Sequence, residues 1–401
     1  QAKLKIIKSW PFIYWISDDF REKFGGTTLD KLADICKGMD TSNNLRFLKL
    51  WWEVGNEKPT GDWKVYAKGG PFEKWYGNLW ATINWKNDGK AIKDYAGSTI
   101  RNEKHYFSEG LTYSTSGSKG ASFRLLPKGS IFDAGGNGVF ITNNVLDLHY
   151  LLAFMNSKLC FYVRDCLNPT VNTTVGDLNR LPIISEQQHP IVISLSKINV
   201  DIKYYLCAYS LVDFEFKQSP LRTNVTIPNF KNAYKEFLNY ENHLLTQVLL
   251  NEAIINEKIF EVYDLTVDDK AMVLAKEGVA IGGLPVTSEA RDAYLAETEA
   301  TKEFPLDAIR EFIEALPVKE LTAEERDAIE SGFGSLYQSN NDLEEFCIRH
   351  QVNPINVWYW FKQSNVIPQQ RMHTLAMEFL ADMVREILME DEDGIIPLVP
   401  N

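Results

Sequence analysis

The chain is poor in cysteine, has no long apolar run and lacks the usual catalytic spacings, and each shortage removes a class of protein. Cys36, Cys160, Cys166, Cys207 and Cys347 are scattered over 401 residues, odd in number and with no Cys-x-x-Cys pair. Neither a zinc cluster nor a disulfide framework is expected, and a reducing, cytoplasmic location is. No apolar run approaches the roughly 20 residues needed to cross a bilayer, so no membrane partner is expected. His105, His149, His189, His243, His350 and His373 show no metal-binding spacing, and no Gly-x-Ser-x-Gly elbow is present. The densest glycine cluster, Gly135-Gly136-Asn137-Gly138, lies between Ile131-Phe132 and Val139-Phe140-Ile141 and reads as a tight hairpin, not a phosphate loop. Asp18-Asp19 and Asp268-Asp269 are paired carboxylates near helix ends, where a solvated or capping role is expected. No catalytic, cofactor-binding or metal-ligating residue is therefore expected. The first residue is Gln1, with no signal-like segment, and the apolar run Ile395 to Pro400 looks cut off, so a piece of a longer protein is expected.

What is present is an ordinary globular composition, 45% hydrophobic and 24% charged, in a length that suggests two or three domains. Charge is unevenly spread. Residues 1 to 184 hold 24 Lys and Arg against 18 Asp and Glu, a net of +6, which leaves −18 for the rest of a chain whose total is −12. The first part also carries Trp10, Trp15, Trp51, Trp52, Trp63, Trp75, Trp80 and Trp85. A basic, aromatic-rich part joined to an acidic one suggests a nucleic-acid surface that the net charge conceals; a tryptophan-filled core is the alternative.

The expected fold class is α+β. Residues 9 to 24 have helical spacing and form, with Gly25-Gly26, a linker over 1–26. From 27 to 184, aromatic and β-branched runs alternate with turn signals, which predicts a mostly β domain interrupted by one helix at about 144 to 166. After Pro182 the pattern turns helical. Helices over about 186 to 209 and 229 to 262 predict a packed spacer spanning 185–265, followed by an acidic helical region over 266–401. Thr266 to Asp269 and Thr322 to Glu325 resemble capping boxes. Asp342 to Gln363 has the rhythm of a helix-turn-helix, although its first helix is acidic and a packed hairpin or partner-docking surface is the default.

A longer pattern runs through the basic part: Asn43-Asn44-Leu45-Arg46-Phe47-Leu48-Lys49-Leu50-Trp51-Trp52-Glu53, Ala67-Lys68-Gly69-Gly70-Pro71-Phe72-Glu73-Lys74-Trp75-Tyr76-Gly77-Asn78, Asn84-Trp85-Lys86-Asn87-Asp88-Gly89, Tyr106-Phe107-Ser108-Glu109-Gly110-Leu111, Leu126-Pro127-Lys128-Gly129-Ser130 and Gly176-Asp177-Leu178-Asn179-Arg180-Leu181-Pro182. In this order they resemble the target-recognition region of PglX-type adenine-specific DNA methyltransferases of BREX phage-defence systems. The resemblance is dense over residues 9 to 184, and the rest looks like that family's helical C-terminal region. It implies an upstream catalytic domain that binds S-adenosylmethionine and an Asn-Pro-Pro-aromatic motif that holds a flipped adenine. Neither is here, since Asn168-Pro169-Thr170 and Asn353-Pro354-Ile355 lack the second proline and the aromatic. The implied role is DNA sequence recognition, and the implied partners are double-stranded DNA, the missing N-terminal catalytic domain, and other phage-defence proteins or acidic DNA-mimic inhibitors. The alternatives are the specificity region of a restriction-modification fusion enzyme and a carbohydrate- or protein-binding β module.

A DNA reader needs cations for phosphates and oriented donors for base edges. The candidate DNA-binding residues are Lys64, Lys68, Lys74, Arg101, Lys104, Lys119, Arg124 and Lys128, with the loops at about 64 to 74 and 113 to 128 preferred. Arg124 and Arg101 are the candidates for guanine, because a planar guanidinium can bond O6 and N7 together. Trp51, Trp75 and Trp85 are expected to be core. Without a glycine-rich strand-to-helix turn or a base pocket, the chain alone is expected not to bind S-adenosylmethionine. Calorimetry checks this, and micromolar binding would count against the reading.

Overall fold

The computed structural model describes residues 17–22, 25–54, 61–117, 119–222, 230–301, 304, 307–336 and 342–390. Most of the expected helix over 9–24, with Trp10 and Trp15, lies outside them, as does the apolar run at 395–400. The strands are β1 (Ala33–Cys36), β2 (Leu48–Lys49), β3 (Trp63–Ala67), β4 (Ala81–Asn84), β5 (Gly110–Ser114), β6 (Phe123–Leu126), β7 (Ile131–Phe132) and β8 (Gly136–Ile141). Among them lie α1 (Asp18–Glu22), α2 (Asn44–Phe47) and α3 (Lys86–Lys93), and after them α4 (Leu148–Met155), α5 (Lys158–Leu167) and α6 (Val175–Leu178). The remainder is α7 (Pro190–Cys207), α8 (Phe230–Val262), α9 (Val267–Glu277), α10 (Ser288–Thr301), α11 (Asp307–Glu314), α12 (Ala323–Glu330), α13 (Asp342–His350), α14 (Pro354–Gln363) and α15 (Gln369–Met389). The fold is α+β, and no described helix is long and apolar enough to cross a membrane.

Two four-stranded sheets form, in the orders β1-β8-β5-β6 and β2-β4-β3-β7. The first is antiparallel throughout, while β7 joins β3 in parallel with Tyr66 opposite Ile131. This corrects the hairpin reading of residues 131 to 141: β7 and β8 belong to different sheets, and the glycine-rich link carries the chain between them. The link is tight. Asp133 accepts hydrogen bonds from Tyr66 Oη (2.7 Å) and the Gly135 amide (2.6 Å), and a Cβ on Gly136 would stand 2.7 Å from the Ala67 carbonyl oxygen.

The single helix expected over 144 to 166 is broken in two. Asp147 caps α4 by accepting from the His149 amide at 2.8 Å, and Ser157 caps α5 by accepting from the Cys160 amide at 3.2 Å. Between them Asn156 turns its amide to the free edge of β6, where Oδ1 accepts from the Phe123 amide (3.0 Å) and Nδ2 donates to the Phe123 carbonyl (2.9 Å). The backbone of Trp75 extends the same edge, donating to Phe123 and accepting from Leu125, both at 2.9 Å. Both devices close a strand edge that would otherwise leave buried polar groups unpaired.

α7 and α8 follow the apolar periodicity and pack together, with Asn251 of α8 donating to Asn199 of α7 at 2.7 Å. One apolar core runs from Phe20, Tyr66, Tyr113 and Phe123 through Leu151, Leu195 and Ile254 to Trp358, without interruption at residue 184. A second core joins Phe237 of α8 to Phe346, Trp360, Phe361 and Leu375. Replacing Asn156 with Ala should leave the Phe123 amide buried without an acceptor and cost about 1–3 kcal/mol. Urea denaturation measures it, and an unchanged midpoint would show that the β6 edge does not need the side chain.

Candidate functional site

Four of the eight expected cations come together around one loop, residues 101–108. The loop is held by its own backbone geometry and by rings. Asn102 adopts a left-handed conformation (φ 53°) and donates from Nδ2 to the Lys37 carbonyl at 2.8 Å. Phe107, also at positive φ (67°), donates its amide to the Ser130 carbonyl (2.9 Å) and accepts from the Gly129 amide (3.0 Å). The His105 ring stacks on Phe140 with centroids 4.4 Å apart, and Tyr106 meets Trp85 and Phe132 edge-on.

On this frame stand the cations. Lys64 of β3 lies over the Phe107 ring at 5.8 Å, and Lys128 is exposed on the turn next to Gly129. Arg101 opens the loop, and exposed Lys37 lies beneath Asn102. None of these four has a carboxylate partner among the described residues. Lys104 instead pairs with Asp34 at 2.7 Å, and His105 Nε2 lies 3.0 Å from the same carboxylate. The bond from Lys104 holds the Asp34 carboxyl below its usual range despite partial burial, with help from His105. Lys93, 5.4 Å over Trp85, is tied to Asp88 (2.6 Å) and Glu103 (2.5 Å). Lys37 was not a candidate from the sequence, because 64 residues separate it from Arg101 and no local pattern links them.

The other four candidates are used inside the protein. Lys68 pairs with Asp133 at 3.2 Å. Lys119 pairs with Glu345 of α13 at 2.6 Å. Lys74 is buried between Glu252 of α8 (2.5 Å) and Glu344 of α13 (2.9 Å). Burial alone would depress its pKa, but the two carboxylates outweigh that and raise it. Arg124, 1% exposed, donates to the Glu73 carbonyl (3.2 Å), Ser122 Oγ (3.3 Å) and Ser114 Oγ (3.3 Å), and burial lowers its pKa to about 10. Arg124, expected to read guanine, and Lys74, expected to hold a phosphate, both face the interior: the Lys74 ammonium and the two terminal nitrogens of Arg124 donate to protein oxygens, while Arg124 Nε is buried without a hydrogen-bond partner. The helix-turn-helix alternative meets the same obstacle, since Ile355, Val357, Trp358, Trp360 and Phe361 of α14 are all buried.

Among the described residues no cluster of His, Cys, Asp and Glu could hold a metal ion. Cys36, the thiol nearest the loop, is pushed up to about 12 by burial and so stays protonated. Trp51, Trp75 and Trp85 are buried, as expected, which leaves none of the three as a platform for a sugar or a base.

No family model matches the chain. It is similar to the adenine-specific methyltransferase BrxX of Escherichia coli O9:H4 (strain HS), with 31% identity over 277 residues that cover 67% of this chain and 22% of that protein. It is similar also to the adenine-specific methyltransferase PglX of Lacticaseibacillus casei (strain Zhang), with 30% identity over 296 residues, 66% of this chain and 24% of that protein. The chain thus spans less than a quarter of the length of these curated relatives.

Replacing Lys74 with Met should leave Glu252 and Glu344 buried without their cation and cost about 3–5 kcal/mol. Arg124→Ala should likewise act on stability, by unpairing the buried oxygens it serves, and leave the duplex affinity of the folded fraction unchanged. Urea denaturation beside DNA titration separates the two effects; a loss of affinity in Arg124→Ala at unchanged stability would return that residue to the surface.

Proposed function

We propose that the chain, which is similar to adenine-specific methyltransferases of the PglX/BrxX type, is the part of such a phage-defence enzyme that recognises duplex DNA. The observation that carries this reading is the group of cations that have no carboxylate partner among the described residues, Lys37, Lys64, Arg101 and Lys128, gathered on a rigid aromatic frame. Cations of this kind hold phosphates, and a frame locked by stacked rings holds them in one register. Arg101, half-buried at the start of the loop, is placed to supply base-edge contacts, because it opens a loop of fixed backbone and its guanidinium has no carboxylate partner among the described residues.

Methyl transfer belongs, in this reading, to a domain of the longer protein that uses S-adenosylmethionine. The described residues of this chain do not fit that cofactor. A cradle would need glycines open to a phosphate or a ribose at a strand-to-helix turn, whereas Gly69 and Gly135 press on each other: a Cβ on Gly69 would stand 2.7 Å from the Gly135 carbonyl oxygen. No step of the transfer is therefore assigned to these residues.

Each phosphate contact neutralised by a cation contributes about 0.9 to the slope of log affinity against log salt on B-DNA. Replacing Lys37, Lys64, Arg101 and Lys128 with Ala should flatten that slope by roughly 3 to 4. Lys119→Ala should leave it nearly unchanged, since Lys119 is matched by Glu345. Salt titrations of duplex binding by fluorescence anisotropy make the comparison. An unchanged slope in the fourfold variant would place the DNA face elsewhere.

A further inference from the structure

α15 carries apolar groups on two faces: Leu375, with Met372, Ala376 and Phe379 beside it, packs into the second core, and the same inward side also holds charges. On α15, Asp382 is fully buried and takes hydrogen bonds from Arg385 at 3.2 and 2.8 Å, with Arg222 3.6 Å away. Glu386 pairs with Arg222, Arg371 pairs with Glu241, and the Arg385 guanidinium lies 5.2 Å over the Trp51 ring. Glu378 accepts from the Leu211 amide at 3.3 Å. The opposite face shows Met377, Leu380, Val384, Ile387 and Leu388, between 45% and 55% exposed, together with exposed Ala381. A surface helix normally turns charged and polar residues to solvent, not a second apolar stripe. Rotating α15 to hide its outer apolar face would break its bonds to Arg222, Glu241 and Leu211 and its contact with Trp51, so the stripe is held outward.

We propose that this stripe pairs, antiparallel and about a two-fold axis, with the same stripe of a second copy of the chain. Reversed upon itself, the pattern is self-complementary: Met377 of one copy meets Leu388 of the other, and small Ala381 lets Val384 of the other come close. The spacing of three and four residues is that of paired helices. No charge stands on the face from 377 to 388, so a two-fold axis brings no like charges together, as an isologous contact requires. Five side chains, each about half exposed, offer on the order of 450 Å² per copy, or roughly 900 Å² for the pair, close to the lower limit of specific interfaces. The dimer is accordingly weak.

Analytical ultracentrifugation of the 401-residue chain between about 5 and 200 µM should show the mass rising toward twice the monomer. The Leu380→Lys/Val384→Lys variant should stay monomeric over that range with an unchanged melting temperature, since both side chains are exposed. An Ala381→Cys/Val384→Cys variant under mild oxidation should link position 381 of one copy to 384 of the other, identified by peptide mass spectrometry. A chain that stays monomeric at the top concentration, a dimer that survives the lysine variant, or a link from 381 to 381 would each overturn the proposal.

Discussion

Three consecutive residues, Glu73, Lys74 and Trp75, tie the strands to the helices, and the rest of the structure depends on that tie. Lys74 is enclosed by Glu252 and Glu344, the other oxygen of Glu252 accepts from Trp75 Nε1 at 2.7 Å, and Glu73 pairs with Lys203 of α7 at 2.5 Å. The Trp75 backbone meanwhile extends β6. Its φ of 75° is costly for a large side chain, roughly 1–3 kcal/mol, and persists because bonds on both sides determine it. Taking three charges out of water returns little net stability compared with an apolar filling. What the cluster does supply is a single arrangement: α7, α8, α13 and the first sheet are each bonded to the same three residues, so none can shift alone.

This tie also explains part of the charge asymmetry. The excess of cations before residue 184 and of carboxylates after it is partly internal matching, in which Lys74 and Lys119 meet Glu252, Glu344 and Glu345. The pairs Glu73 with Lys203 and Asp165 with Lys276 run the other way. Composition could not distinguish a cation that meets a carboxylate 178 or 270 residues away from one that meets none. Among the described residues Lys31 and Arg46 also lack a carboxylate partner, and Arg124 and Lys158 bond to uncharged oxygens, but Lys37, Lys64, Arg101 and Lys128 gather near Phe107, and a patch of four is a stronger electrostatic feature than a balance of +6 spread over a whole region.

What was legible in the sequence follows from how local each cause is. The α7 and α8 periodicities, and the caps at Thr266 (Asp269 amide, 3.1 Å) and Thr322 (Glu325 amide, 3.2 Å), depend on residues a turn apart and were readable. The break at Asn156 was not, because Met155 and Leu159 keep helical spacing across it while the cause, the Phe123 backbone, lies 33 residues earlier. The β7–β8 link was misread for the same reason, since adjacency in sequence does not show that Ile131 pairs with Tyr66. For α14 a signal did exist: Ile355, Val357, Trp358, Trp360 and Phe361 place apolar groups nearly all round the helix, which marks a core element and not a DNA-reading one. Arg124 was misread because a lone arginine in a strand between turns has no local mark of burial.

β3 and the segment that follows it connect the tie to the cationic loop. β3 carries Lys64 over Phe107, pairs through Tyr66 with Ile131 of β7, and leads within eight residues of Ala67 to Trp75. β7 in turn is preceded by Lys128 and by Ser130, whose carbonyl holds Phe107. The cations and the helical half are therefore joined through two paired strands and no long flexible segment, and the angle at which Lys64, Arg101 and Lys128 face outward is set by the same bonds that hold α8 and α13. In the proposed role this is the property that counts. A reader of DNA sequence works only if its base contacts arrive in one register relative to the enzyme that acts on the base, and unmatched lysines on a mobile loop would hold phosphates equally well in many registers. A patch locked by His105 on Phe140, by the left-handed turns at Asn102 and Phe107, and by the buried lysine of the tie has the rigidity that register demands.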